Sequence, residues 1–292
     1  MIHLWRRWHG GDRMRRWGAK AAILALVTLV VLYPKPWLLA TWFSRIGDLV
    51  HALDPAHPGL APLEERVRAS LSAKAPPEEV LRLVQQTVHE RIPYGWDWDV
   101  WGVAEYLPTV DEALRMGRED CDGRAVVAAS LLRRMGYDAW LVSDVLHMWV
   151  ETPQGETMNP TGGDKTLVGR RQGTEAAGTQ WNVTLGFAQN LARAASFGIA
   201  VFPLARELII LVTICLLALQ PHSSLLRRLL GCALLGLALS LIRDAGRAAA
   251  MAGEFFDVAK AIAGFGLAIV GWLTLVIRGA GPPPRSAATL SE

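Results

Sequence analysis

Cysteine is scarce in this sequence of 292 residues, and its placement limits the chemistry of the chain. Two of the three cysteines, Cys215 and Cys232, lie inside apolar runs of the C-terminal third. Cys121 therefore stands alone in the polar central region, which excludes an internal disulfide there and a zinc site built from cysteines. A lone thiol is a candidate nucleophile, although buried cysteines often serve as small apolar residues.

The sequence also lacks a strong charge of either sign and the closely spaced ligands of a metal site. Its net charge is +3, and it contains no dense Lys/Arg stripe with interleaved aromatics, so nucleic-acid binding has no support. The seven histidines are scattered, without a His/Glu/Asp pair at helix-ligand spacing. We therefore expect neither a cofactor nor a bound metal.

Hydrophobic residues are abundant, at 51%, and they concentrate near the two ends of the chain. The basic segment 1–20 precedes an apolar run over 21–43 with no small-residue cleavage site after it, which predicts an uncleaved transmembrane anchor. Three further transmembrane helices are predicted within 196–278. Their apolar runs lie around 196–220, 229–242 and 261–277.

The basic residues that flank these runs predict the orientation. The positive-inside rule places both termini in the cytoplasm and the region 45–190 on the other side of the membrane. The tail 279–292 is rich in proline and glycine and is predicted to be disordered. Arg206 and Glu207, near the start of the second span, are expected to pair with each other or reach the interface. We thus expect an integral protein of the bacterial inner or cell membrane.

The polar region contains the patterns of several helices and strands. Apolar residues at helical spacing predict a helix that begins near Pro77, and a short one over 111–117. A third, buried helix is predicted from Cys121 to Arg134, with Asp120 or Glu119 as its N-cap. The stretches DAWLVSDV, HMWVETP and ETMNP are predicted strands.

Three residues of this region could act together as a catalytic unit. A thiol at a helix N-terminus, Cys121, is close to the positive end of the helix dipole, which favours the thiolate. Asp120 and Asp122 oppose this, because nearby negative charge raises a thiol pKa. Their side chains would have to point away or be paired, for instance with Arg118 or Arg124. His147 and Asn159, at a strand start and a strand end, would supply a general base and an orienting amide.

The segments EDCDGRA, HMWVE and NPTGG resemble the motifs of the transglutaminase-like superfamily of cysteine peptidases and acyltransferases. The similarity extends from PYGWDWD to NPTGG. It implies Cys121 as nucleophile, His147 as base and Asn159 as the third member of the triad. It also implies a papain/transglutaminase-like α+β domain, with a helix packed on an antiparallel sheet, beside about four transmembrane helices.

Two residues depart from the motifs of that superfamily. Glu119 stands where a glycine is usual, and Asn159 replaces an aspartate. A neutral amide orients an imidazole but stabilises the imidazolium less than a carboxylate does. The aromatic and acidic residues over 96–101 either line the acyl-binding cleft or, as we favour, pack over the domain and contact lipid headgroups.

Two functions follow as hypotheses. The first is an extracytoplasmic, thiol-dependent acyl-transfer enzyme that acts on a peptide or protein amide, by hydrolysis or by transglutaminase-type transfer. The second is a non-catalytic, membrane-tethered binding module, for which Cys121 would be dispensable. A transporter-like or assembly role of the C-terminal helices ranks below both. The choice between hydrolysis and transfer, the substrate and the oligomeric state stay open at this point.

Overall fold

A computed structural model describes the chain over eight ranges of residues. These ranges are 12–72, 74–143, 147–159, 169–171, 180–182, 187–220, 223–250 and 256–277. The first eleven residues of the predicted basic N-terminus, the predicted disordered tail 279–292 and the part of the NPTGG motif after Asn159 lie outside them.

Two consecutive helices form the N-terminal apolar segment. Helix α1 (Arg13–Leu32) begins after Asp12, whose side chain accepts a hydrogen bond from a backbone N–H of the first turn. Helix α2 (Pro36–Ile46) begins with a proline, and Pro34 lies in the break between the two. Proline lacks a backbone N–H and disfavours helix in the residue before it. The two helices are bent by 82°, so the segment predicted as one anchor over 21–43 is not straight.

Five helices make up the polar region before its strands. They are α3 (Ala61–Ser70), α4 (Pro77–Arg91), α5 (Asp97–Val100), α6 (Val110–Met116) and α7 (Cys121–Arg134), with 3₁₀ turns at Leu49–Ala52 and Pro58–Leu60. The predicted helix starts near Pro77 and at Cys121 are confirmed. The Thr109 side chain caps α6 together with Glu112 in a reciprocal capping box, which explains why so short a helix has a fixed start.

Helix α7 lies at the centre of the core. Ten of its fourteen residues are buried, and many are alanine or valine, which allows neighbouring elements to approach closely. Its N-cap is Asp120, whose carboxylate accepts a hydrogen bond from the backbone N–H of Asp122 at 3.0 Å. After its end, Gly136 has a φ of 92°, the left-handed conformation in which glycine ends helices.

The strands form one antiparallel sheet. They are β1 (Trp140–Ser143), β2 (Met148–Thr152), β3 (Gly155–Thr157), β4 (Gly169–Arg171) and β5 (Gln180–Asn182), in the spatial order β3-β2-β1-β4-β5. In the register, Trp140 lies opposite Glu151 and Thr152 opposite Gly155. The buried residues of β1 and β2 join the same hydrophobic core as α7, so the start of β2 lies beside the start of that helix.

The predicted fold class, a papain- or transglutaminase-like α+β domain, is wrong. The described chain is mainly helical, and its sheet is small, with strands of three to five residues. Over the described ranges no papain-like core is seen, because α7 packs against the helices α3, α4 and α6 as well as against β1 and β2. A helix buried around most of its circumference needs neighbours on every side, and here helices supply most of them.

Four helices complete the chain: α8 (Phe187–Val201), α9 (Leu204–Ala218), α10 (Leu225–Ala250) and α11 (Val258–Val276). Two stretches, Leu225–Arg247 and Val258–Val276, are long and apolar enough to cross a membrane. The bent pairs α1–α2 and α8–α9 raise this number to four if each pair is one span. Membrane association is therefore supported, and the span predicted over 229–242 belongs to a longer helix.

A buried ion pair joins the C-terminal helices. Arg243 of α10 contacts the carboxylate of Glu207 on α9, and it also donates to the backbone carbonyls of Ile199 and Phe202, at 2.8 and 3.1 Å. Arg206 instead donates to the backbone carbonyl of Gly102 in the polar region, at 3.1 Å. The prediction that Arg206 and Glu207 pair with each other is therefore wrong, because adjacent residues of a helix point in different directions.

Candidate active site

Cys121 is the first residue of α7, and it lies against the start of β2. The backbone N–H of Met148 hydrogen-bonds to its sulfur, and its thiol donates to the carboxylate of Asp122 at 3.4 Å. Cys121 forms no disulfide, and the residue as a whole is partly buried. The contact between the start of α7 and the start of β2 therefore fixes the position of the sulfur relative to His147, the residue before Met148.

The imidazole of His147 lies in the same cavity as the sulfur of Cys121. Both residues line its wall, and the imidazole packs edge-on against Phe197 of α8, with ring centroids 6.3 Å apart. The structure thus brings two of the three predicted site residues together. The sequence placed each correctly within its element, but their proximity depends on the packing of α7 against β2.

Asn159, the third predicted site residue, lies elsewhere. Its amide nitrogen donates to the carboxylate of Glu156 at 2.9 Å, and the lining of the cavity does not include it. The preceding residue, Met158, has a φ of 65°, which is uncommon for a side chain larger than glycine. This backbone conformation turns the chain after β3 and sets the direction of Asn159. Its assignment as an orienting amide stays a prediction.

Five carboxyl groups form a cluster beside the start of α7, and the charges of Glu105, Asp120 and Asp122 act on the thiol. The other two members are Asp97 and Glu119. Enclosure in the protein, and then the charges of Asp122 and Asp120, raise the pKa of Cys121 well above its usual value. Burial raises the pKa of Asp122 to about 6 and that of Glu119 to about 8. At neutral pH, the resting sulfur is therefore a thiol, and part of the cluster carries protons.

Within the described part of the chain, neither Arg118 nor Arg124 forms an ion pair with Asp120 or Asp122, so the pairing considered from the sequence is not observed. Arg124 donates from its Nε to the backbone carbonyl of Ile92 at 2.9 Å, and its guanidinium lies 5.1 Å from the ring centre of Tyr94. Glu105, which lies in the cavity, hydrogen-bonds to Asp122 instead. A carboxyl–carboxylate pair that shares a proton thus holds part of the negative charge.

Glu119 occupies the position of the usual glycine, and its side chain is buried completely. One carboxylate oxygen accepts a hydrogen bond from the indole of Trp101 at 3.0 Å, while the other has no partner among the described residues. The side chain fills the space above Gly123, where a Cβ would lie 2.6 Å from Glu119 Cγ. In the sequence, Gly123 was the residue that could have indicated this close approach of Glu119, and the sequence analysis did not consider it.

The aromatic segment is held beside the thiol by backbone contacts. Gly95 donates to the carbonyl of Glu119, and Glu119 donates to that of Pro93, both at 3.1 Å. Trp96 and Trp98 stack with ring centroids 4.8 Å apart, and both line the cavity. Of the two interpretations of the segment 96–101, a position in the wall of a cleft is therefore supported for Trp96 and Trp98.

The cavity itself has a volume of about 840 Å³, within the usual range for a small-molecule site. Its polar end carries Cys121, His147, Ser143 and the carboxyl groups of Glu105, Asp120 and Asp122. Its remaining walls come from α1, α2, α8, α9 and α10 and are mainly apolar. The site therefore lies at the junction between the polar region and the apolar helices.

Carboxyl groups of this cluster have the spacing of a cation site. Oxygen atoms of Asp97, Glu119 and Asp120 lie within 4.8 Å of one another, as do ligand atoms of Asp120, Cys121 and Asp122. Hard cations such as Ca²⁺ and Mg²⁺ prefer such oxygen ligands. Burial raises the pKa of Asp97 and Glu119, so protons on these carboxyls are a second way to balance the charge of the cluster.

No protein-family model, no curated protein and no solved structure matches this chain. The resemblance to the transglutaminase-like superfamily therefore stays a prediction from its short motifs.

Proposed function

We propose that this protein is a membrane-anchored, thiol-dependent acyl-transfer enzyme, with Cys121 as nucleophile and His147 as general base. The observation that supports this most is that the thiol and the imidazole line one cavity. The thiol is also at the N-terminus of a buried helix, where backbone N–H groups and the helix dipole stabilise developing negative charge.

The reaction begins with attack of the sulfur on a carbonyl carbon. Because the pKa of Cys121 is raised, His147 must take the thiol proton as the carbon–sulfur bond forms. The tetrahedral intermediate then collapses, the bond between carbon and leaving group breaks, and His147 returns its proton to that group. Water converts the thioester to an acid and regenerates the thiol, whereas an amine converts it to a new amide.

The location of the reaction is part of the same proposal. The basic segment 1–20 and the positive-inside rule support a location of the polar region outside the cytoplasm of a bacterial cell. A peptide or protein amide, by hydrolysis or by transglutaminase-type transfer, is the acyl donor that the resemblance implies. Asn159 is proposed to help orient the imidazole, as the third member of the predicted triad.

The second candidate is a non-catalytic binding module, and two observations favour it. Asn159 bonds to Glu156 and does not line the cavity. The raised pKa of Cys121 also leaves little thiolate at neutral pH. In that case the cavity would bind its ligand without covalent chemistry, and Cys121→Ala would retain full binding.

Acylation of the full-length protein in detergent by p-nitrophenyl acetate separates the two candidates. We expect a stoichiometric burst, with the acetyl group on Cys121 by mass spectrometry, and none in Cys121→Ala. His147→Gln should slow the burst by about 100-fold or more, the usual contribution of a general base.

The matched control is His89→Gln on α4, an exposed histidine outside the cavity, which should react like the wild type. An unmodified Cys121, or equal burst rates in His147→Gln and His89→Gln, would contradict the enzyme and favour the binding module.

A further inference from the structure

The cavity is larger than an acyl-transfer centre for small amides requires. Much of its lining is apolar, from Phe197 beside His147 to Val201 of α8 and Ile210, Leu211 and Ile214 of α9. The volume of about 840 Å³ holds much more than a carbonyl group and its immediate substituents. What fills this space must be apolar, because polar groups buried there would lose their hydrogen bonds to water.

Helix α9 separates this space from the outer surface of the helix bundle. Ile210, Leu211 and Ile214 face the cavity, while the opposite face exposes Ile209 and Val212 at 53% and 52%. This helix belongs to a bent pair that is long and apolar enough to cross a membrane if the two helices form one span. One face of α9 is therefore suited to the hydrocarbon of the bilayer, and the other face gives the cavity a similar environment.

The charged groups in the apolar part are already paired. Glu207 lines the cavity, but its carboxylate contacts Arg243. Cys121, His147 and Ser143 also line the cavity, as do the carboxyl groups described above. The cavity thus has the polarity of an amphiphile, with a polar end at the nucleophile and an apolar body among the helices.

We infer that the acyl group transferred by Cys121 is a long-chain fatty acyl group, whose hydrocarbon chain occupies the apolar part of the cavity. This inference rests on the proposed thiol chemistry of Cys121 and His147, and it replaces the peptide or protein amide, which only the resemblance implies, as the acyl donor. The sulfur of Cys121 bonds to the acyl carbon, the carbon–oxygen or carbon–nitrogen bond of the donor breaks, and the leaving alcohol or amine takes the proton that His147 removed from the thiol. The donor is an ester or amide of a fatty acid, from a membrane lipid or from a lipid-modified amine.

The test is a series of p-nitrophenyl esters, from acetyl to dodecanoyl, with the full-length protein in detergent. We expect the second-order rate constant for acylation of Cys121 to rise by up to about fourfold per methylene, which corresponds to about 0.8 kcal/mol per buried methylene. The rise should stop when the cavity is full. Rates are corrected for the partition of each ester into detergent micelles.

A variant that fills the cavity gives an independent measurement. Gly198 lines the cavity, and an added Cβ there meets nothing within 4 Å, so Gly198→Phe places a ring in the space. The dodecanoyl-to-acetyl rate ratio should fall by about fifteenfold, the loss of two buried methylenes. Gly236→Phe on α10, also in open space but outside the cavity lining, should keep the wild-type ratio.

The outcomes distinguish this inference from the proposed function. Equal rates for acetyl and dodecanoyl esters, with acylation that still depends on Cys121 and His147, would overturn the fatty acyl substrate and leave the enzyme intact. No acylation of Cys121 by any ester would overturn both. Cys121-dependent release of fatty acid from phospholipid vesicles would support a membrane lipid as donor, and release from a palmitoyl peptide amide would support a lipid-modified amine.

Discussion

The stability of the polar region should depend on the protonation of Glu119. Its side chain is fully buried, one of its oxygens has no partner among the described residues, and burial raises its pKa to about 8. In the unfolded chain, the same carboxyl titrates near 4.5. Between these values the folded state binds more protons than the unfolded state, so the free energy of unfolding falls as the pH rises.

The size of the effect follows from the two pKa values. Each pH unit between them costs up to 1.36 kcal/mol, and titration of Glu119 alone should lower the free energy of unfolding by about 3–4 kcal/mol between pH 5 and pH 8. Stabilisation by this group is fully present below the unfolded pKa and is lost as the pH passes the folded one. Glu119→Gln keeps an acceptor for Trp101 but cannot ionise, so its unfolding free energy should lack this contribution.

The assay is urea unfolding of the full-length protein in detergent from pH 5 to pH 8, followed by near-UV circular dichroism. Near pH 5, Glu119→Gln should match the wild type within about 1 kcal/mol, and at pH 8 it should be more stable. Glu65→Gln, an exposed glutamate on α3, is the control and should follow the wild type. Parallel pH profiles of the wild type and Glu119→Gln would refute a buried, protonated Glu119.

Two further predictions concern other charged groups. Enclosure and then the charge of Asp122 raise the pKa of Cys121. Asp122→Asn should therefore speed iodoacetamide labelling of Cys121 above pH 6, where Asp122 is ionised, but not at lower pH. Peptide mapping measures the labelling, and equal rates for the wild type and the variant at pH 8 would contradict this prediction. In the apolar bundle, Arg243→Ala leaves Glu207 buried without its partner and should destabilise the protein by about 3–5 kcal/mol. The double variant Arg243→Met with Glu207→Leu should restore most of this stability. Thermal unfolding in detergent measures both, and a double variant as unstable as Arg243→Ala would show that the unpaired charge is not the cause.

The sequence predicted local elements well, because their signals are local. Proline at the start of α4, the acidic cap of α7 and Gly136 after its end act within one helical turn, and the structure has all three. The fold class was wrong because it depends on which elements cover α7. The sequence shows that this helix is apolar on most sides, but not that α3, α4 and α6, rather than a large sheet, pack against it.

The membrane segments were predicted from composition, and their breaks required the structure. Apolar runs marked the N-terminal and C-terminal helices, but the 111° bend between α8 and α9 comes at Pro203, inside a run interpreted as one span. The bend allows Arg206 to reach Gly102 while Glu207 turns towards Arg243. Charges that follow each other in the sequence thus have different partners, which no count of apolar residues could predict.

Some features of the candidate site also follow from the local sequence, whereas others depend on tertiary packing. Cys121 and His147 were selected from residue type and position at element ends, and the packing of α7 against β2 brings them to one cavity. Asn159 was selected on the same grounds, yet the turn at Met158 directs its amide to Glu156. The pKa of the thiol also depends on Glu105, 16 residues before it in the chain, which only tertiary packing brings near. A raised thiol pKa makes the base essential, so the chemistry proposed for Cys121 depends more on His147 than the helix dipole alone would suggest.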